Sequence, residues 1–141
     1  GSGTPVLGLC FGGQVLAAAL GGGVSKADRP EIGWYEIESD QPEIVSPGPW
    51  FEWHYDRFSI PDGSVEVARS EVSSQVFRCG KSVGTQFHPE ITPEIVASWA
   101  VVGHEELAKL DIDPEPLIAE TVDRQAEARR RADRLVDWFL E

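Results

Sequence analysis

The fold of this chain is indicated by the stretch Gly8-Leu9-Cys10-Phe11-Gly12-Gly13-Gln14. The apolar residues Val6 and Leu7 come just before Cys10 and are typical of a short, buried parallel strand. Residues 14–20 are rich in alanine and leucine, which predicts a helix that ends at the three glycines of residues 21–23. The stretch therefore predicts a sharp strand–turn–helix element with Cys10 at the turn.

A cysteine at such a turn is placed for nucleophilic chemistry. Its side chain is pushed off the strand end, where the positive end of the helix dipole favours a thiolate. The backbone N–H of Phe11 is then placed to bind an oxyanion on a carbonyl that Cys10 attacks. The alternative is a small, buried structural cysteine, which does not need the glycines found on both sides of Cys10.

A histidine and a carboxylate are supplied by a second stretch, Gly84-Thr85-Gln86-Phe87-His88-Pro89-Glu90. Residues 82–87 predict a short strand, and its alternation lets His88 and Glu90 share one face, with Pro89 stiffening the step. The carboxylate would fix the tautomer of the imidazole, which takes the thiol proton. An isolated His-Pro-Glu is more typical of a surface turn without function, but in combination with Cys10 it indicates catalysis.

The two stretches resemble the two signatures of the class I, or triad-type, glutamine amidotransferase domain, in its GMP-synthase-like branch. The resemblance covers the chain from about Pro5 to about Trp99. It implies a flavodoxin-like α/β fold, in which a mainly parallel sheet is flanked by helices.

The resemblance also implies a role for each matched residue. Cys10 would be the nucleophile, His88 the base and Glu90 the acid that orients the base. Phe11 would supply an oxyanion N–H, and Gln14 would help to hold the substrate, L-glutamine. In the implied reaction the thiolate attacks the side-chain amide, forms a γ-glutamyl thioester and releases ammonia to an acceptor on a partner synthetase domain or subunit.

Between the two signatures, Trp53-His54-Tyr55-Asp56 resembles the family's His-x-Asp stretch, whose backbone helps to bind the amino-acid end of glutamine. The resemblance implies that His54, Tyr55 and Asp56 take part in substrate binding. The residues alone leave a second interpretation open, because His54 lies among aromatic residues and is also typical of a packed core histidine.

The place of Cys10 in the chain bears on domain organisation. The resemblance implies strands, helices and a glycine-rich loop with a second oxyanion donor before the cysteine strand. We therefore expect residues 1–141 to form a single amidotransferase-like domain that lacks its N-terminal portion. Two alternatives stay open, namely a thiol hydrolase of the same architecture that cleaves γ-glutamyl conjugates, and a non-catalytic binding or regulatory fragment.

Composition narrows the range of partners. The chain is 41% hydrophobic and 26% charged, as expected for a globular domain. Its 24 acidic and 12 basic residues give a net charge of -12, which argues against a nucleic-acid partner. No apolar run approaches the ~20 residues that span a bilayer, so no membrane partner is expected.

Cysteine and histidine usage suggests neither a disulfide framework nor a metal centre. Pairing Cys10 with Cys79 would remove the nucleophile, so we expect a reducing, cytoplasmic location. The three histidines, His54, His88 and His104, do not have the Cys/His spacing of a zinc site, and no metal or cofactor is expected.

The remaining elements follow from periodicity and capping signals. Strands are predicted over residues 31–39, 50–58, 65–70 and 75–78. Thr92 and Pro93 predict the start of a helix, residues 111–116 a linker, and residues 117–140 an amphipathic helix. On that last helix the residues expected to point at least partly inward are Val122, Leu135, Val136, Trp138 and Phe139.

Overall fold

The computed structural model describes residues 3–141. Seven strands and four helices follow one another along this part of the chain. They are β1 (Leu7–Leu9), α1 (Phe11–Ala19), β2 (Val24–Tyr35), β3 (Glu38–Ser39), β4 (Trp50–Phe58), β5 (Val65–Arg69), β6 (Ser74–Cys79), β7 (Ser82–Thr85), α2 (Pro93–Val102), α3 (His104–Lys109) and α4 (Pro114–Leu140). No helix of residues 3–141 is both long and apolar enough to cross a membrane.

The strands form a five-stranded sheet in the order β1-β7-β6-β5-β3 and a two-stranded antiparallel sheet of β2 and β4. Only one described pair is parallel: β1 runs alongside β7, with Leu9 opposite Thr85. The α/β character is as predicted, but the expectation of a mainly parallel sheet is corrected to a mixed sheet. The reason is local, because turns as short as Gly80-Lys81 can join only antiparallel neighbours.

The predicted turn joins β1 to α1 at Cys10, whose backbone has the left-handed angles φ 50° and ψ -104°. Its N–H donates to the carbonyl of Thr85 at 2.8 Å. A Cβ at Gly8 would lie 2.4 Å from the carbonyl oxygen of Gly12, and one at Gly13 would lie 2.4 Å from that of Thr85. The glycines thus let strand, turn and helix approach closely enough to hold Cys10 in a strained conformation.

The long helix α4 packs on both sheets through one stripe of residues. Its buried positions are spaced by four and seven residues, as expected for one helix face: Leu117, Thr121, Ala128 and Leu135. Trp138 and Phe139 are partly buried, as predicted. Val122 and Val136 are 57% and 37% exposed, because both lie off this stripe.

Two element boundaries differ from those predicted. The linker expected over residues 111–116 is shorter, because α4 begins at Pro114 with Asp113 as its cap and proline is tolerated in a first turn. The strand expected over residues 31–39 is divided into the end of β2 and the short β3. The start of α2 agrees with the prediction, since the Thr92 hydroxyl accepts from the N–H of Ile95 at 3.3 Å.

Candidate active site

The parallel pairing of β1 and β7 brings the two signature stretches together. Cys10 directly follows β1, and His88 follows β7 by three residues, so both lie at the carboxyl ends of neighbouring strands. Both side chains line one cleft of about 500 Å³. The other lining residues are Leu9, Phe11, Trp53, Tyr55, Glu90, Trp99, Val102, Gly103 and Glu106.

The imidazole of His88 lies between a carboxylate and the thiol. Its Nδ1 lies 2.6 Å from Oε1 of Glu90, and the thiol group of Cys10 is near enough to raise the pKa of the imidazole. The carbonyl oxygen of Trp53 lies 3.4 Å from His88 Nε2 and 3.8 Å from Cys10 Sγ. His88 and Glu90 lie beyond the end of β7 rather than on the strand, but they meet as the sequence pattern predicts.

The charge state of His88 follows from these contacts. Burial lowers the pKa of the imidazole, but hydrogen bonds and charge interactions with Cys10 and Glu90 together outweigh it and raise the pKa to about 10. The imidazole is therefore protonated at neutral pH. An imidazolium beside a thiol stabilises the thiolate, so the arrangement is suited to a nucleophile.

Aromatic side chains and one backbone hydrogen bond fix the position of His88. Trp99 meets its ring edge-on, with the ring centroids 4.9 Å apart, and also packs at 5.9 Å against Trp53. The backbone N–H of His88 donates to the carbonyl of Phe51 at 2.8 Å. This apolar wall holds the imidazole in place and limits its access to water.

The predicted oxyanion donor is the first residue of α1. The side chain of Phe11 is 74% exposed, so its place in the site depends on its backbone. The first N–H groups of a helix have no partner within the helix and attract negative charge. The Phe11 N–H directly follows Cys10, where an oxyanion would form.

The other predicted substrate contacts lie in different surroundings. Tyr55 lines the cleft, whereas His54 is buried behind it and Asp56 is exposed, with its carbonyl accepting from His54 Nδ1 at 2.6 Å. Gln14 is 7% exposed and lies behind the nucleophile, where its amide donates to the same Asp56 carbonyl at 3.1 Å. Contact of Gln14, His54 and Asp56 with a substrate stays a prediction.

Behind the cleft, His54 lies between two buried carboxylates. Its Nε2 is 2.9 Å from Oε1 of Glu31 and 3.3 Å from Oε2 of Glu52. The carbonyl of Asp56 can only accept, so Nδ1 carries a proton. Oε1 of Glu31 also accepts from the amide of Gln75 at 3.0 Å, so Nε2 donates to it as well. Hydrogen bonding thus favours an imidazolium between the two carboxylates.

The same three side chains could hold a metal ion, since their ligand atoms all lie within 4.8 Å of one another. Metal binding would require Nε2 of His54 to lose its proton. Burial lowers the pKa of His54, but the hydrogen bond to Glu31 and the interactions with Glu52 outweigh it and raise the pKa to about 10. The donor set therefore fits an ion pair better than a metal site.

Glu52 is the least satisfied member of this cluster. Its side chain is fully buried, and neither carboxylate oxygen has a hydrogen bond of good geometry. Burial raises its pKa to about 7, although His54 opposes the shift. Near neutral pH the folded state therefore binds a proton here that an unfolded glutamate would release.

The raised pKa values predict a loss of stability at high pH. A group whose pKa is higher in the folded state than in the unfolded state contributes its full stabilisation at pH values below the unfolded pKa. This contribution to the folded state is lost as the pH rises through the folded pKa. For His54 this range runs from about 6.5 to about 10. We expect the free energy of unfolding to fall across it, by up to about 1.4 kcal/mol per pH unit for each proton.

Urea unfolding at a series of pH values measures this slope. In His54→Gln the fall should be shallower, because the buried imidazolium that releases its proton in this range is removed. Equal slopes for the wild type and the variant would contradict the assigned charge of His54.

Three residues near the site have no role in the sequence-based interpretation: Glu31, Glu52 and Gln86. Gln86 lies within the second signature, and its burial could be expected from its place beside a buried strand end. Glu31 and Glu52 lie on β2 and β4, where a carboxylate is typical of an exposed face. The register of β2 and β4, which places Glu31 opposite His54, brings the cluster together.

Comparison with known proteins identifies the family. The model of the family "Glutamine amidotransferase class-I" matches residues 1–96. The chain is 37% identical over 110 residues to the glutamine-hydrolyzing GMP synthase of Aeropyrum pernix, covering 69% of this chain and 22% of that protein. It is 37% identical over 97 residues to one subunit of the glutamine-hydrolyzing GMP synthase of Sulfurisphaera tokodaii, covering 62% of this chain and 51% of that protein.

A solved structure gives the same result. A glutamine amidotransferase from Thermotoga maritima matches with a TM-score of 0.86 and 33% sequence identity, covering 97% of this chain and 63% of that chain. The likeness confirms the predicted α/β amidotransferase architecture. The chain spans about half the length, or less, of the two curated relatives. From its two signatures, its fold and these matches, the chain belongs to the class I glutamine amidotransferase family.

Proposed function

We propose that this chain hydrolyses the side-chain amide of L-glutamine through a thioester on Cys10 and releases ammonia. The observation that carries the proposal is the cleft that Cys10, at the amino end of α1, lines together with His88, whose Nδ1 lies 2.6 Å from Glu90. A nucleophile, a base and a group that orients the base are the minimum set for this reaction.

In the proposed steps His88 first gives up a proton and then takes one back, and the Cys10 thiolate first attacks and then leaves. The thiolate of Cys10 attacks the amide carbon, and the N–H of Phe11 binds the oxyanion. His88 Nε2 gives its proton to the leaving nitrogen, so that ammonia departs and a γ-glutamyl thioester remains. His88 then takes a proton from water, the hydroxide attacks the thioester, and glutamate leaves as the thiolate re-forms. Glu90 holds the tautomer of His88 throughout.

For the ammonia we propose an acceptor on a synthetase domain or on a partner chain. The relatives described as glutamine-hydrolyzing GMP synthases support this partner, and one of them is a separate subunit of its enzyme. We further propose a cytoplasmic location, since Cys10 and Cys79 are both free thiols and the nucleophile must stay reduced.

A second candidate is the hydrolysis of γ-glutamyl conjugates with a larger leaving amine. The volume of the cleft favours it, because about 500 Å³ with walls of Trp53, Trp99 and Val102 leaves space beyond a glutamine side chain. The two candidates share every catalytic group and differ only in the leaving amine.

We expect Cys10→Ser to lower ammonia release from glutamine by at least about a thousandfold, because the nucleophile is lost. The matched control is Cys79→Ser, which removes the other free thiol outside the cleft and should keep wild-type activity. Ammonia is measured with a coupled glutamate dehydrogenase assay, and labelling of Cys10 by a glutamine-analogue diazoketone is located by mass spectrometry.

The outcomes separate the candidates. Cys10-dependent release from γ-glutamyl methylamide but not from glutamine would support the second candidate. Neither release nor labelling at Cys10 would indicate a non-catalytic binding or regulatory module.

A further inference from the structure

A line of buried amide groups runs from strand β4 to the sulfur of Cys10. Gln14 and Gln86 are 7% and 0% exposed, and neither lines the cleft. Nε2 of Gln14 donates to the carbonyl of Asp56 at 3.1 Å and to Oε1 of Gln86 at 3.4 Å. Nε2 of Gln86 then donates to Sγ of Cys10 at 3.6 Å. The sulfur therefore has a protein partner on its buried side, opposite the cleft.

The direction of donation along this line is fixed at its far end. The carbonyl of Asp56 can only accept, so Gln14 must turn its NH₂ group toward it. The second hydrogen of that NH₂ points at Gln86, which must accept it with its side-chain oxygen. Turning the Gln86 amide around would set two NH₂ groups against each other and a carbonyl oxygen against the sulfur. The arrangement therefore directs an N–H, and not an oxygen, at Cys10.

We infer that Gln86 is a further catalytic residue, whose side-chain N–H stabilises the Cys10 thiolate from behind, and that Gln14 is the positioning residue that sets its direction. A hydrogen bond to an ionised acceptor is stronger than one to the neutral form, so the N–H favours thiolate over thiol. The amide does not ionise near neutral pH, so it remains a donor while the sulfur changes its charge. It can hold the sulfur both before attack and when the thiolate leaves the thioester.

His88 and Gln86 act on the sulfur from different sides and at different steps. His88 approaches from the cleft side and must leave Cys10 when it protonates the leaving nitrogen. Gln86 is fully buried and stays in place, so the sulfur keeps one hydrogen-bond donor at every step. This inference rests on the proposed function only in taking Cys10 as the nucleophile.

The test is the rate at which iodoacetamide alkylates Cys10 at pH 7, measured on the full chain in a Cys79→Ser background. Gln86→Met keeps the size of the side chain and removes the N–H donor. We expect alkylation to slow about tenfold, the effect of losing one hydrogen bond to a charged group. The matched control is Gln75→Met, because Gln75 is also 0% exposed, but its amide donates to Glu31, Ser70 and Ser73. In the control the alkylation rate should stay close to that of the parent.

A second measurement does not depend on the folding of the Gln86 variant. In the parent protein, alkylation of Cys10 should shift the NMR signals of the Gln86 side-chain NH₂ and leave those of Gln75 in place. An unchanged alkylation rate in Gln86→Met, an equal loss in Gln75→Met, or an unmoved Gln86 signal would each overturn the inference. Alkylation needs no substrate, so a protein that fails to hydrolyse glutamine can still show the effect of Gln86.

Discussion

Replacing His88 with glutamine is expected to lower kcat for the proposed hydrolysis by about 10⁴-fold. Glutamine keeps a polar group in the same space but cannot carry a proton between Cys10, the leaving nitrogen and water. KM should change little, because His88 acts on protons rather than on the binding of glutamine. Steady-state ammonia release measures both constants, and alkylation of Cys10 at pH 7 should slow in parallel because the imidazolium partner is lost.

His104 provides the control for this change. It lies at the start of α3, is exposed, and its Nδ1 donates locally to the carbonyl of Val101 at 3.0 Å. His104→Gln should leave kcat and the alkylation rate unchanged. Retention of most of the wild-type activity in His88→Gln would rule out the proposed role of His88.

Two neighbouring glycines should respond in opposite ways to the same substitution. A Cβ at Gly13 would lie 2.4 Å from the carbonyl oxygen of Thr85, which is backbone of β7 and also accepts from Cys10 N–H. We expect Gly13→Ala to cost about 3 kcal/mol of unfolding free energy, as other overpacked sites do, and to slow alkylation of Cys10 by moving the turn.

Gly12→Ala is the matched control, because no atom lies within 4 Å of the position of its Cβ and alanine favours a helix more than glycine does. It should raise the free energy of unfolding by up to about 1 kcal/mol. Urea unfolding measures both variants. Equal effects at the two positions would mean that close contact with β7 is not what the turn requires.

The turn itself was predictable because its causes are local. Cys10, the glycines beside it and the helix after it are adjacent in sequence, and each type of residue restricts the backbone. The meeting of His88 with Glu90 was predictable for the same reason, since one residue separates them. That Cys10 and His88 share a cleft follows from the pairing of β1 with β7, which joins residues far apart in sequence.

The direction of most strand pairs was not predicted, although the turns carried the information. The strands after Phe58 are joined by short connections, and the pairs β5–β6 and β6–β7 are accordingly antiparallel. The apolar strand before Cys10 predicts a parallel strand, which holds for the pair β1–β7, whereas the mainly parallel sheet was an expectation from the family resemblance.

The polar groups behind the nucleophile could not be predicted from spacing. Gln14 and Gln86 are 72 residues apart in sequence, and Gln86 and Cys10 are 76 apart. Glu52 lies two residues before His54 on β4, so strand alternation places both on one face, but Glu31 meets them only through the register of β2 and β4. Such contacts depend on tertiary packing, which no local pattern encodes.

The carboxylates of the cleft have a consequence for what leaves it. Glu90 and Glu106 both line the cleft, and the whole chain carries a net charge of -12. In the proposed hydrolysis, glutamine would enter as a zwitterion with no net charge, whereas glutamate would depart as an anion. A negative potential at the mouth therefore discriminates between the two, because it weakens the binding of the acid, hastens its exit and so limits product inhibition.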